Sequence, residues 1–383
     1  MDFGLSDEQK ALQKRARTLA RTEFAPMASH WDETETFPME NVVRLGEEGL
    51  VSPLTPAEYG GGDLGFMGFA IILSEVAAAC AVTGDIVNVH ATIGQLPLVQ
   101  YGTDEQKQKY LVPATTGKSL ISFALTEPEV GSDPAAITTV ARRDGDSYVI
   151  DGVKQFATLS GVADTILVAA KTETDGKSGV SLLIVDKGTP GLVVGERSRL
   201  MGQRGLDSGL LHLESCVVPR NNLVGKEGQG LKVCLRALNA SRIGTTALSV
   251  GIAQRALEES KLYAKQRVIY GKPIADLQAI QFMVANAATD IEATWLLMYR
   301  AAKLADAGHP AIKEASMAKL FATEMVRRHT LAAIDVHGGY GFTRNRVVER
   351  LHRDCIILGI GGGTADVQRT IMARQIFSED TEG

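Results

Sequence analysis

From about position 119 to about position 225 the chain abandons the three-to-four spacing of apolar residues that runs before and after it, and this change of period constrains the fold more than any single motif. Upstream, "SDEQKALQKRARTLA", "ENVVRLGEEGL", "GFAIILSEVAAAC" and "EQKQKYLVPA" read as helices, punctuated by the loop "PAEYGGGDLG". In the middle, "TVARRDGDSYVIDGVKQFATL" carries the turn signals Asp144-Gly145 and Asp151-Gly152, and "TILVAAKT", "VSLLIVDK" and "LLHLESCVVP" follow as further strands of an antiparallel β module. Beyond "GKEGQG" long amphipathic helices return, in "LKVCLRALNASRIGTTALSVGIAQRALEESKLYAKQR" and "AIQFMVANAATDIEATWLLMYRAAKLADAG". Helices, sheet, then helices, with no tandem repeat, make an α+β chain of three modules: all-helical 1–118, β 119–225 and helical 226–383. At 383 residues there is more than one hydrophobic core and room to enclose a large ligand.

Several function classes are disfavoured. A net charge of −5 argues against nucleic acid, which calls for surplus clustered Lys and Arg. The opening "MDFGLSDEQKALQKRARTLARTEF" is charged and helical, with Ser6 and Gln9 spaced as a capping box, so no secretory signal is expected. The apolar stretch "FMGFAIILSEVAAACAVTG" is interrupted by Glu75 and reads as a buried helix rather than a membrane span. Cys80, Cys216, Cys234 and Cys355 show no metal-site or disulfide spacing. A reducing, cytoplasmic setting without a metal fits these features.

Individual motifs have ordinary alternatives. "ALTEPEVGSD" ends a strand in a loop able to approach a flat ring or a phosphate, or is a tight turn capped by Ser132 and Asp133. "VKQFATLSG" puts Phe156 and Thr158 on one strand face, as an aromatic wall beside a hydroxyl or as core packing. "KQRVIYGKPIADLQAIQ" sets Arg267 and Gln278 about a turn, which by itself is a helical hairpin. "VHGGYGFTRNRVVERLHRD" is a glycine hinge before a basic helix, whose plain reading is a solvated face.

Taken in order, these segments with "MGQRGLDSGLLHLESCVVPRNNLVG" and "GGGTADVQ" resemble the acyl-CoA dehydrogenase family along essentially the whole chain. The resemblance implies an N-terminal helical domain, a central antiparallel β-barrel domain and a C-terminal four-helix bundle. FAD would bind at their junction, in a homotetramer built as two dimers. Carried over by motif, Leu125, Thr126, Gly131 and Ser132 would line the flavin and pyrophosphate, with Phe156 and Thr158 against the ring. Arg267, Gln278, Gly338 and Gly339 would meet the adenosine diphosphate part from a neighbouring subunit, and Thr364 and Asp366 would close the cofactor. Arg242 matches an arginine near the acyl-CoA. Departures are Glu129-Val130 in place of a small pair, Tyr270 for Phe, and Asp335 where Gln is common.

A larger departure concerns the base. Most of the family carries a glutamate in Tyr-Glu-Gly-Thr that removes the α-proton of the thioester; here that position is Gly362, preceded by Gly361. A second branch keeps its glutamate just before the arginine matched by Arg242; here that residue is Ser241, too weakly basic to substitute. Glycine retains a backbone N–H that can polarise the thioester carbonyl, and it leaves space for a bulky or ring-shaped acyl group. In "AVTGDIVNVHATIGQ", Asp85 is either a relocated base, made more basic by burial, or a helix N-cap following Gly84. Dehydrogenases of alicyclic acyl-CoA thioesters resemble the first arrangement. His90 is the second candidate, as base or substrate contact, against a packed structural role.

Three functions therefore compete. One is an FAD-dependent dehydrogenase of a cyclic or branched acyl-CoA, using Asp85 and Gly362 and passing electrons to an electron-transfer flavoprotein. Another is a redox-neutral lyase resembling the sulfinoacyl-CoA desulfinases, which would want a cation in the acyl pocket; Asp85 has the wrong sign for that, so an Arg or Lys would have to reach in from elsewhere. The last is a non-catalytic FAD-binding homologue.

Overall fold

Ser6 opens the first helix as a reciprocal cap: its hydroxyl accepts from the Gln9 N–H at 3.2 Å, and the Gln9 side chain accepts from the Ser6 N–H at 3.1 Å. The computed structural model describes residues 4–174 and 176–379; Met1 to Phe3 of the opening segment and the last four residues of the C-terminal module lie outside the described residues. The N-terminal helices are α1 (Asp7–Leu19), α2 (Ala25–Thr34), α3 (Met39–Glu47), α4 (Gly65–Ala79), α5 (Ala81–Val89), α6 (Leu96–Tyr101), α7 (Asp104–Gln106) and α8 (Val112–Ala114). Wide π turns join α1 to α2, α5 to α6 and α7 to α8. Helix α4 is apolar on nearly all sides and correspondingly buried from Met67 to Ala77. Its one carboxylate, Glu75, is held by both Nε and Nη2 of Arg17, at 2.8 and 2.7 Å. Among the described residues no helix is long and apolar enough to cross a membrane.

The middle strands are β1 (Ile121–Ala124), β2 (Val140–Asp144), β3 (Ser147–Thr158), β4 (Thr165–Thr174), β5 (Lys177–Asp186), β6 (Leu192–Arg197), β7 (Ser208–Pro219) and β8 (Leu223–Val224). They form one sheet in the order β6-β7-β3-β2-β4-β5-β8, with β1 added beside β4. Most pairs are antiparallel, but β4 runs parallel to β1 from Ile121/Thr165 to Ala124/Val168 and to β2 at Val140/Lys171. The sheet is therefore mixed where an antiparallel one was expected, because β1 enters directly from the helical module instead of folding back through a hairpin.

The chain then runs through α9 (Gly230–Gln266), the short hairpin β9 (Val268–Ile269) and β10 (Lys272–Pro273), α10 (Gln278–Asp306), α11 (Ile312–His337), α12 (Val347–Cys355) and α13 (Ala365–Glu379). Helix α9 packs against α10 and α11, and α11 against α13, as a bundle that α4 and α5 also touch. Helix α12 ties all three modules together. Arg353 donates to both carboxylate oxygens of Asp32 in α2, at 2.9 and 2.6 Å, and to the Met201 carbonyl at 3.3 Å. Its neighbour Asp354 accepts from the Gln203 N–H.

Candidate active site

Helices α5 and α9 approach closely because Gly84 and Gly244 lack side chains: a Cβ at the first would collide with Leu248, and one at the second with the Asn88 amide oxygen. That contact brings Asp85 and Asn88 of α5 beside Ser241 of α9, whose hydroxyl lies 3.5 Å from Asn88 Oδ1. Asp85 is buried, and its Oδ1 accepts from Asn88 Nδ2 at 3.2 Å. Burial pushes its carboxyl up to about 6, against the opposing pull of the Asn88 hydrogen bond and the Lys319 charge. The N-cap alternative is corrected by the geometry. Cys80 caps α5, and Asp85 sits in the middle of the helix.

Lys319 of α11, which the sequence did not single out, holds the triple glycine and acts on this carboxylate through its charge. It is 1% exposed, and its Nζ donates to the Gly361 carbonyl and, at 2.6 Å, to the Gly363 carbonyl. Burial pulls the amine down to about 7, repulsion from Arg242 acts in the same direction, and attraction to Asp85 opposes both. Gly362 has φ of +64°, a conformation that favours glycine, and a Cβ built there would lie 3.5 Å from Lys319 Nζ. The signal for Lys319 was present in the sequence: Ala315, Ala318, Ala322 and Val326 set an apolar stripe that includes position 319.

Arg242 is buried in the same cluster, with Nη1 donating to Asn239 Oδ1 at 3.0 Å and lying 3.5 Å from the Ser316 hydroxyl. Its Nε has no partner among the described residues, and burial lowers its pKa to about 10. Thr364 caps the start of α13 through the Val367 N–H at 3.4 Å, while Asp366 is exposed and pairs with Arg369 at 3.1 Å.

His90 is a correction. Both ring nitrogens are occupied by backbone, with Nε2 3.1 Å from the Ala114 carbonyl and Nδ1 accepting from the Ile121 N–H at 3.2 Å. The ring is completely buried, and burial lowers its pKa to about 4. It pins the α5–α6 turn to β1 and has no nitrogen free for a proton or a substrate.

The flavin-side residues fall into two groups. On the β module, Leu125 and Thr126 lead into the exposed Gly131 and Ser132, and Phe156 stands 58% exposed beside the half-buried Thr158. The plain alternation expected to put them on one face is broken by a bulge between Lys154 and Ala157, which leaves Phe156 at φ +54°. Beneath this loop a buried pair, Lys154 Nζ to Glu127 Oε1 at 2.8 Å, fixes the backbone: Lys154 also donates to the Leu125 carbonyl at 3.2 Å, and Glu127 accepts from the Thr138 and Thr139 N–H groups. Burial pushes Glu127 up, but Lys154 and the threonines outweigh it and hold the carboxylate down at about 2. The second group, Arg267, Gly338 and Gly339, shares a cleft of about 550 Å³ with Tyr263, Asp335 and Tyr340. Gln278 opens α10 beside it, and none of the β-module residues lines it. An exposed aromatic ring beside a backbone loop, with open space over Gly131, Gly338 and Gly339, suits a flat heterocycle carrying phosphates, so the residues fit FAD.

Models of the acyl-CoA dehydrogenase N-terminal, middle and C-terminal domains match residues 6–118, 122–216 and 228–377. The chain is 42% identical to the probable acyl-CoA dehydrogenase YngJ of Bacillus subtilis, over 98% of this chain and 100% of that protein. It is 38% identical to a short-chain specific acyl-CoA dehydrogenase of Clostridium acetobutylicum, over 98% of this chain and 100% of that one. The structure of butyryl-CoA dehydrogenase from Megasphaera elsdenii superposes with a TM-score of 0.95 at 33% identity, covering 98% and 100% of the two chains. With a matching model for each of its three modules, the chain belongs to the acyl-CoA dehydrogenase family, as an FAD-dependent oxidoreductase acting on the CH–CH bond of acyl-CoA.

Proposed function

We propose that the protein dehydrogenates a cyclic or branched acyl-CoA, with Asp85 as the α-proton base in place of the missing glutamate. The observation carrying this reading is the buried Asp85 carboxylate, poised near 6 and within the field of Lys319, the amine that holds the loop where the family's glutamate would stand. A base is most effective when its pKa lies near the working pH, and burial has moved Asp85 towards it. The chemistry supplied by FAD when bound is acceptance of a hydride from Cβ. Asp85 takes the α-proton, and the Gly362 N–H donates to the thioester oxygen as enolate charge develops. Leu125, Thr126, Gly131, Ser132, Phe156 and Thr158 would hold the flavin; Arg267, Gln278, Gly338, Gly339, Thr364 and Asp366 would hold the remainder of the cofactor. Ser241, Arg242 and Gly361 would face the acyl-CoA. A Cβ at Gly361 would meet nothing nearer than the Ile357 carbonyl at 3.7 Å, and this side-chain-free position supports a bulky acyl group, although two of the relatives named above are a short-chain specific acyl-CoA dehydrogenase and a butyryl-CoA dehydrogenase. A homotetramer, a cytoplasmic setting and an electron-transfer flavoprotein as acceptor belong to the same reading.

The test is anaerobic flavin absorbance on mixing the FAD-loaded protein with linear, branched and alicyclic acyl-CoA thioesters, for wild type and Asp85→Asn. Bleaching by an alicyclic thioester that is lost in FAD-loaded Asp85→Asn is expected. Bleaching that survives the substitution overturns Asp85 as base.

One observation favours a second reading. Lys319 and Arg242 are two buried basic groups close enough to repel one another, and positive charge is what expulsion of an anionic sulfinate would call for. Sulfite release from a sulfinoacyl-CoA without net flavin bleaching would select this lyase. FAD binding with no response to any thioester would leave a non-catalytic homologue.

A further inference from the structure

The carbonyls of the triple-glycine loop are all held by two buried side chains. Lys319 Nζ holds those of Gly361 and Gly363, and Gln368 Nε2 donates to those of Gly362 at 3.3 Å and Gly363 at 3.0 Å. Both gripping side chains are 1% exposed, Lys319 from α11 and Gln368 from α13. No peptide bond among the described residues is cis. In a trans peptide the C=O and the N–H point in opposite directions, so fixing the carbonyl of Gly361 fixes the N–H of Gly362, and fixing that of Gly362 fixes the N–H of Gly363. Among the described residues these two N–H groups donate to nothing, whereas the Gly361 N–H is used locally by the Ile357 carbonyl at 2.9 Å. Three consecutive glycines would otherwise be the loosest backbone in the protein, and an N–H that wanders polarises poorly.

We propose that Lys319 and Gln368 are positioning residues that aim the Gly362 and Gly363 N–H groups at the thioester carbonyl oxygen, giving a side-chain-free loop the rigidity of an oxyanion site. This rests on the reading that the loop faces the thioester. Neither residue touches the reacting atoms; each acts through the backbone it holds.

The experiment measures the apparent pKa for enolisation of bound acetoacetyl-CoA, whose enolate absorbs in the near ultraviolet, in the FAD-loaded protein. Wild type should lower that pKa relative to the free thioester. Lys319→Met and Gln368→Met, with FAD content equal to wild type, should each raise it by about one pH unit, roughly tenfold in the enolisation constant. Lys319→Arg, which keeps donors and charge, should recover part of the effect, and Gln368→Met also serves if Lys319→Met fails to fold. If Lys319→Met raises the pKa and Gln368→Met leaves it unchanged, the ammonium acts through its charge and positioning is overturned. If neither variant moves a depressed wild-type value, the grip is irrelevant and the proposal fails alone. If bound acetoacetyl-CoA in wild type shows no depression, the loop does not face the thioester, and the site reading fails along with the proposal.

Discussion

The Asn88 amide donates to Asp85 at 3.2 Å from one turn further along the same helix, so the candidate base is held by a neutral partner rather than by a formal ion pair. A neutral partner steadies the carboxylate without pulling its pKa far down, and burial remains the larger influence. For the reaction this has a definite sign. Asp85 must be ionised to accept the α-proton, so kcat/KM should rise with pH through an apparent pKa of about 6. Asp85→Asn should lower kcat by about 10²–10⁴-fold with FAD retained. Steady-state rates from acid to neutral pH check both expectations.

The same shift appears in stability with the opposite benefit. A carboxyl whose folded-state pKa lies above its unfolded value stabilises the fold fully below the unfolded value and loses that contribution as pH rises through the folded one. For Asp85 the window runs from 3.8 to about 6 and corresponds to roughly 3 kcal/mol. Asp85→Asn lacks this titration. Its melting temperature relative to wild type should climb across that window and level off above it, as differential scanning fluorimetry at a series of pH values would record.

Lys154→Met tests the support beneath the flavin loop. It leaves Glu127, a carboxylate held ionised, buried without its cation, and should cost about 3–5 kcal/mol in urea unfolding. The Leu125 carbonyl loses its donor as well, so FAD should dissociate more readily from the folded fraction. Replacing both partners, as Glu127→Gln with Lys154→Met, should recover much of the stability, because no buried charge is then orphaned.

Gly362→Glu, which restores the residue type usual in the family, should not restore the usual chemistry. The backbone at φ +64° disfavours any side chain, and a carboxylate growing from a Cβ 3.5 Å from Lys319 Nζ would pair with that amine and lose basicity. Added to Asp85→Asn, it should raise the residual rate by less than about tenfold. Larger recovery would mean that Lys319 does not capture the new carboxylate.

The three-module order, the capped first helix and the buried α4 are legible in the sequence because each rests on local periodicity or a local hydrogen bond. Asp85 is legible as an ionisable residue on an apolar run, but not as a residue inside a helix, since Gly84 reads as a turn until α9 is seen lying against it. His90 misleads for the complementary reason: its partners, Ala114 and Ile121, lie 24 and 31 residues away and leave no trace beside it. Lys319 lies on an apolar stripe, yet a lysine in a helix that also carries Lys313, Arg327 and Arg328 reads as solvated. Only the return of the chain at Gly361 to Gly363 gives its amine a reason to be buried. Phe156 needed the bulge, which is a property of two strands together.

The double tie at Arg353 and Asp354 reaches beyond the site. Helix α12 holds α2 by two charged hydrogen bonds and the segment between β6 and β7 through the Met201 carbonyl and the Gln203 N–H, so two adjacent residues of one helix carry contacts to both of the other modules. Heat should therefore reach the three modules as one event, a single calorimetric endotherm, and Arg353→Met should divide it into separate steps.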